Sequence, residues 1–131
     1  MGYEESAKEV LRLVQFFEGL FVKSGFYCET ATAVDVDPDG KDKIYFKWSP
    51  RMRQLQYRGS FNDSWAHAAR VFEMEIPGIL LKNIETLYDA CLSEQKRVID
   101  VLDEASDTGN DFGDRLVLSL SEKEDQDAGN E

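Results

Sequence analysis

The sequence is poor in the residues from which metal and redox centres are built. Its 131 residues include one histidine, His67, and two cysteines, Cys28 and Cys91, which lie far apart. A zinc centre needs several closely spaced histidine and cysteine ligands, so none is expected here. A disulfide framework is not expected either, because sparse cysteines are typical of buried thiols in a reducing cytoplasm.

Segments that direct a chain to a membrane are also lacking. No apolar run approaches the ~18 residues that a membrane helix needs, and no basic start leads into an apolar stretch as in a secretory signal. We therefore expect a cytoplasmic protein without a membrane partner. The nine glycines are scattered, and none precedes the Gly-Lys-Ser/Thr run of a phosphate-binding loop, so no cofactor is expected.

One group of residues has the composition of a catalytic triad. Asp63, Ser64 and His67 are near neighbours in the sequence, whereas a working triad normally draws its members from separate elements. Asp63 or Ser64 more simply caps a helix that carries His67 on its surface. The sequence therefore predicts no catalytic residue and no enzymatic activity.

Charge is abundant and unevenly distributed. The net charge is −11, and residues 100–131 alone hold eleven acidic and two basic residues, which leaves −2 for residues 1–99. Residues 41–58 carry six basic residues against the single acid Asp42. An acidic protein thus has a basic segment near its middle, where a partner of opposite charge can bind.

Apolar periodicity predicts an α+β protein. Three-and-four spacing over residues 9–22 predicts a helix that ends at Ser24-Gly25, and residues 26–36, 43–49 and 51–59 have the composition of strands. A helix from Asn62 or Asp63 to Ile76 is expected next, and Pro77 opens another over residues 77–105, either continuous or broken at Ser93. Residues 115–121 alternate like a short strand.

These elements give the order α-β-β-β-α-α-(β). We expect an N-terminal helix, a small antiparallel sheet of three or four strands, and two C-terminal helices that cover one sheet face. Residues 1–106 form the domain, residues 107–121 a loop with a short edge strand, and residues 122–131 a disordered acidic tail. A helix over 77–105 outruns so small a sheet, which suggests a homodimer through that helix.

The stretch "DVDPDGKDK" resembles the start of a calcium loop. Asp35, Asp37, Asp39 and Gly40 match ligand positions 1, 3 and 5 and the invariant glycine. Position 12, however, is Phe46, which has no ligand oxygen and belongs to the apolar face of the following strand. We therefore interpret the stretch as a hairpin turn, with the three aspartates as a weak calcium candidate.

The basic segment that follows is the strongest functional candidate. Aromatic residues interleave there with basic ones, while Phe46 and Trp48 point to the opposite, buried face. Such a mixture is typical of single-stranded nucleic-acid binding, and it equally suits an acidic protein partner or the acidic tail of this chain. The predicted partner-binding residues are Lys43, Tyr45, Lys47, Arg51, Arg53 and Arg58.

The function expected from these features is binding without catalysis. A regulator or inhibitor of a larger machine, acting through contacts with another protein, fits a compact body with a charged sheet face; the machine could process nucleic acid or serve in defence. One alternative is a nucleic-acid-binding module that uses the hairpin 41–58. Another is an acidic protein that resembles secretion chaperones or neutralises a toxin.

Overall fold

Helix α1 forms where the apolar periodicity predicts it. In the computed structural model, which describes residues 2–129 and the side chains of residues 2–125, α1 spans Tyr3–Ser24. Val14 and Phe21 of its apolar face are buried. Gly25 follows in the left-handed conformation (φ 68°), and its N–H donates to the carbonyl of Val22. A residue with a Cβ would be strained there, so glycine ends the helix.

An antiparallel sheet with strand order β1-β2-β3-β4 follows. The strands are β1 (Ala31–Asp35), β2 (Lys43–Ser49), β3 (Gln54–Gly59) and β4 (Ala66–His67). Trp48 lies opposite Leu55 in the register, and both are buried, as is Phe46. Because side chains alternate along a strand, these residues define an inner face, and α1 contacts both β3 and the next helix, α2, Glu75–Lys82.

The last helix, α3, spans Ile84–Gly129. The fold is therefore the predicted α+β class: an N-terminal helix, a four-stranded antiparallel sheet and two C-terminal helices. The chain divides into two units, residues 1–95 and residues 96–131. The buried apolar core lies in the first unit and consists of Val14, Phe21, Phe26, Phe46, Trp48, Leu55, Ala68, Ile76, Leu80, Leu87 and Cys91.

The helix predicted from Asn62 or Asp63 to Ile76 is wrong. The side-chain Oδ1 of Asn62 accepts the N–H of Ser64 at 2.9 Å, which closes a polar turn. The chain then pairs with β3, with Ala66 opposite Tyr57 and His67 opposite Gln56. Asparagine and serine side chains bind nearby backbone groups and so compete with a helix. The edge of β3 offers backbone hydrogen bonds, and residues 66–67 form strand β4 there instead of a helix.

The helix predicted over 77–105 has different bounds. Pro77 lies inside the first turn of α2, where its missing N–H costs nothing. The break falls at Asn83 rather than Ser93: Asn83 has φ −119°, and its side-chain Nδ2 donates to the carbonyl of Ile79 at 2.8 Å. An amide that binds the preceding turn in this way competes with continuation of the helix.

The loop and edge strand predicted over 107–121 are also wrong, since this stretch is helical and belongs to α3. Leu116 and Leu120 are four residues apart, so their spacing fits a helix as well as a strand. Gly109 and Gly113 lowered the apparent helix propensity without ending the helix. Residues 122–129, predicted to be disordered, continue α3; the remaining two, 130 and 131, lie outside the described residues.

Glu18 joins α1 to the edge of the sheet. Its Oε2 accepts the backbone N–H of Leu55 at 2.8 Å and lies 2.9 Å from His67 Nε2. Because a carboxylate only accepts, His67 Nε2 is the donor in this contact, and its buried Nδ1 has no partner within the described residues. The side chains of Glu18 and His67 are only 13% and 19% exposed, so both hydrogen bonds are shielded from water.

We expect Glu18→Ala to lower the free energy of unfolding by about 1–3 kcal/mol, because it leaves the Leu55 N–H and His67 without their acceptor. Glu9→Ala is the matched control, since Glu9 pairs with Arg12 on the exposed surface of the same helix and such pairs contribute little. Urea unfolding followed by circular dichroism measures both variants. Equal midpoints would show that the Glu18 contacts do not stabilise the fold.

Candidate functional site

The outer face of the sheet collects four of the six residues predicted to bind a partner. Lys43, Tyr45 and Lys47 alternate along β2, opposite the buried positions, and Arg58 of β3 lies opposite Tyr45. Trp65, in the turn before β4, joins them. We call this group, Lys43, Tyr45, Lys47, Arg58 and Trp65, the outer sheet face.

Cations and rings are layered on this face. The guanidinium carbon of Arg58 lies 4.2 Å from the ring centroid of Tyr45 and 5.3 Å from that of Trp65. The ammonium of Lys47 lies 4.5 Å from the Trp65 centroid. These distances are within the range of cation–π attraction, so the two rings hold the two cations in place.

The two lysines of the outer sheet face have carboxylate partners. Lys47 Nζ is 3.2 Å from Glu29 Oε2, and Lys43 Nζ is 3.9 Å from Asp35 Oδ1. Arg58 differs, because its NH1 reaches only the carbonyls of Gly59 and Asn62, both at 3.4 Å. No described carboxylate pairs with Arg58, so its guanidinium is the cation of this face that a partner's carboxylate can bind.

Arg51 and Arg53 lie apart from this stack, exposed in the turn that joins β2 to β3. Arg53 has φ 55°, and its N–H donates to the carbonyl of Ser49 at 2.8 Å. This left-handed conformation is disfavoured for a residue with a Cβ. The turn therefore carries a long cationic side chain at a position where glycine or asparagine would cost less.

The loop between β1 and β2 is a hairpin turn. The Gly40 N–H donates to the carbonyl of Asp37 at 3.0 Å, with φ 68° at Gly40, and Phe46, at the twelfth loop position, is fully buried. The carboxyls of Asp37 and Asp42 share a hydrogen bond, which raises the pKa of Asp37. Phe46, buried where a calcium loop places its bidentate carboxylate, is the observation that favours a polar turn over a calcium loop.

The described part of the chain was searched for metal ligands, reactive thiols and membrane-spanning helices. Within it, no three His, Cys, Asp or Glu side chains are close enough together to hold a metal ion. Cys28 and Cys91 are free thiols, and burial raises the pKa of Cys91 to about 11, with a smaller contribution from nearby Cys28. None of the helices in residues 2–129 is both long and apolar enough to cross a membrane.

A mostly apolar cavity of about 550 Å³ lies between the end of α1 and the start of α3. Ser24 Oγ and Tyr88 Oη, 3.2 Å apart, hydrogen-bond to each other at its wall. Its size falls in the range of ligand sites. Its lining is Phe17, Leu20, Phe21, Lys23, Ser24, Ile84, Glu85 and Tyr88.

Sequence reasoning missed Trp65 and Glu29. The predicted helix over 62–76 includes Trp65, so the prediction does not place its ring against Lys47 and Arg58. The polar run Asn62-Asp63-Ser64 after Gly59 is a turn signal, and it would have placed Trp65 beside β3. Glu29 precedes β1, and the β1–β2 register, which brings it near Lys47, is set by the hairpin loop.

No family model matches this chain, and no curated protein or solved structure is similar to it.

We expect Asp42→Ala to lower the pKa of Asp37 toward its ordinary value, because it removes the hydrogen bond that favours the protonated form. A raised pKa means that the contact stabilises the fold below the ordinary pKa of aspartate and is lost as the pH rises through the raised value. Carboxyl ¹³C NMR titration measures the pKa, with Asp39→Ala as the control that leaves it unchanged. An unaltered Asp37 titration in Asp42→Ala would contradict this assignment.

We expect millimolar calcium at pH 7 to leave the NMR signals of Asp35, Asp37 and Asp39 unshifted. Calcium requires six to eight oxygen ligands, and Phe46 occupies the position that would supply a bidentate carboxylate. Magnesium at the same concentration controls for ionic strength. Saturable shifts with calcium alone would establish the site that the sequence only weakly suggests.

Proposed function

We propose that the protein is a small, non-catalytic cytoplasmic binding protein that regulates or inhibits a larger machine through protein–protein contacts. The outer sheet face is the proposed binding surface, and an acidic segment of the partner is its proposed ligand. The observation that carries the proposal is the packing of Arg58 over the rings of Tyr45 and Trp65.

Several physical arguments support this surface. Tryptophan, tyrosine and arginine are the residues that most often dominate binding energy in protein interfaces. A guanidinium held against aromatic rings loses little conformational freedom on binding, which reduces the entropic cost of association. Its planar fork also matches a carboxylate in a bidentate arrangement. Arg51 and Arg53, exposed in the turn between β2 and β3, add positive charge that attracts an acidic partner.

Nucleic-acid binding by the hairpin 41–58 is the second candidate, and the exposed pair Arg51 and Arg53 favours it. The layered rings argue against it, because bases bind single-strand modules by stacking on uncovered aromatic faces. Here a face of Tyr45 is covered by Arg58 at 4.2 Å, and a face of Trp65 by Lys47 at 4.5 Å. A base would have to displace these cations.

Affinity capture from the native host with wild-type protein, followed by calorimetry on the purified partner, tests the proposal. We expect Arg58→Ala to weaken that binding by about thirtyfold, which corresponds to the ~2 kcal/mol of a central interface residue. Arg12→Ala is the charge-matched control, because Arg12 is exposed on α1 and pairs with Glu9. Equal affinities for Arg58→Ala and Arg12→Ala would refute the assignment to the outer sheet face.

The same purified protein tests the second candidate, nucleic-acid binding by the hairpin 41–58. Binding to single-stranded oligonucleotides at low salt, with a salt slope that decreases in Arg51→Ala/Arg53→Ala, would assign the hairpin to nucleic acid instead. An absence of oligonucleotide binding would remove that candidate.

A further inference from the structure

The part of α3 that belongs to the second unit has an exposed apolar face. Residues 99–125 are all exposed apart from Gly113, which is half-buried. Among the large apolar side chains, Leu102 is 61% and Phe112 58% exposed. Apolar and small residues recur along this helix with alternating steps of four and three, the spacing of a coiled-coil seam. This seam consists of Val98, Leu102, Ala105, Gly109, Phe112 and Leu116.

Charge is segregated away from the seam. At 3.6 residues per turn, six acids fall on the opposite side of the helix: Asp100, Asp103, Glu104, Asp107, Asp111 and Asp114. The positions that flank the seam on either side carry uncharged residues: Ile99, Val101, Ser106, Thr108 and Gly113. Arg115, the charged flanking residue in this stretch, pairs with Asp111 of its own helix at 3.4 Å. A second helix with the same seam can therefore approach without like-charge repulsion at the contact.

The seam residues are arranged symmetrically by size. Going outward from residue 107, Ala105 and Gly109 are small, Leu102 and Phe112 are large, and Val98 and Leu116 are again apolar. This order reads the same from both ends of the seam. A two-fold symmetric interface brings each surface against itself, so it requires this kind of self-complementarity.

We infer that the occupant of this seam is a second copy of the chain, antiparallel to the first, with residue 107 of both copies at the same level. Leu102 then lies opposite Phe112, and Ala105 opposite Gly109, so that two small layers at the centre let the backbones approach closely. Polar residues bound the seam: Ser119 follows it, and Gln95, which precedes it, already accepts the N–H of Tyr27.

The antiparallel direction follows from packing and electrostatics. A parallel pair would stack Gly109 on Gly109 and Phe112 on Phe112, which puts the smallest and the largest layer of the seam side by side. The antiparallel pair avoids both extremes, because each Phe112 meets a Leu102 and each Gly109 meets an Ala105. Antiparallel helices also bring opposite ends of their dipoles together. The seam from Val98 to Leu116 is 19 residues long, a little under three heptads, so the proposed contact is a short helix pair. The inference is independent of the outer sheet face and goes beyond the proposed function.

Sedimentation equilibrium of the full chain tests self-association. We expect wild-type protein to be dimeric at micromolar concentration and Leu102→Asp to raise the dimer dissociation constant at least a hundredfold. Leu118→Asp is the matched control, because Leu118 is similarly exposed (63%) but lies among the acids. Gly109→Lys is the second disruptive variant: apart from the helix's own backbone and its chain neighbours, no atom would lie within 4 Å of an added Cβ, so the isolated helix tolerates it while the seam gains a charge.

Spin labels at Asp107, Asp114 and Ser121, on one side of the helix, report its direction in a Cys28→Ser background. Cys91 is buried with a raised pKa and stays unlabelled. In the antiparallel dimer the two labels of a pair are offset along the axis by about 0, 21 and 42 Å at 1.5 Å per residue. Three equal distances would mean a parallel pair and overturn the proposed register.

Two further outcomes would overturn the inference. One is a wild-type protein that is monomeric up to several hundred micromolar with the circular dichroism of a folded chain. The other is equal weakening by Leu102→Asp and Leu118→Asp, which would place the contact elsewhere. Retained dimerisation in Leu118→Asp, with loss in both Leu102→Asp and Gly109→Lys, supports the seam even if one disruptive variant also perturbs folding.

Discussion

The packing of one aromatic ring holds the first unit together. The ring centroid of Phe21 in α1 lies 5.3 Å from that of Trp48 in β2 and 5.4 Å from that of Tyr88 at the start of α3. The ring centroid of Phe26 is 5.8 Å away. Tilted and edge-to-face contacts of this kind add to the stabilisation from apolar burial. Because Trp48 must face Phe21, strand alternation directs Tyr45 and Lys47 to the other side of β2. The outer sheet face is thus a consequence of the core.

The parts of the fold that the sequence predicts well are those where one periodicity dominates. In β2, the apolar residues Ile44, Phe46 and Trp48 occupy every second position, so both the strand and its buried face follow from the pattern. Burial of Phe46 likewise decides against a calcium loop before any geometry is known. Lys43, Tyr45 and Lys47 share a side for the same reason, whereas Arg58 joins them through the β2–β3 register.

Prediction failed where local preference depended on distant partners. Residues 62–76 have a plausible helical pattern, and only the open edge of β3 makes pairing by Ala66 and His67 preferable. In α3, the spacing of Leu116 and Leu120 fits both a helix and a strand. These residues are exposed, so no buried position on one face distinguishes the two. The ion pair between Glu29 and Lys47 on the outer sheet face also could not be predicted, because it depends on the register between β1 and β2.

The acidic side of α3 has a consequence for its ion atmosphere. Six carboxylates between residues 100 and 114 lie along roughly 21 Å of helix axis, about one charge per 4 Å. Double-stranded B-form DNA, which holds a condensed layer of counterions, carries one charge per ~1.7 Å of its axis, so this helix has less than half the linear charge density of DNA. The acidic side of this helix therefore attracts cations from solution, and more strongly at low ionic strength. Any molecule that covers the carboxylates gains the entropy of their release.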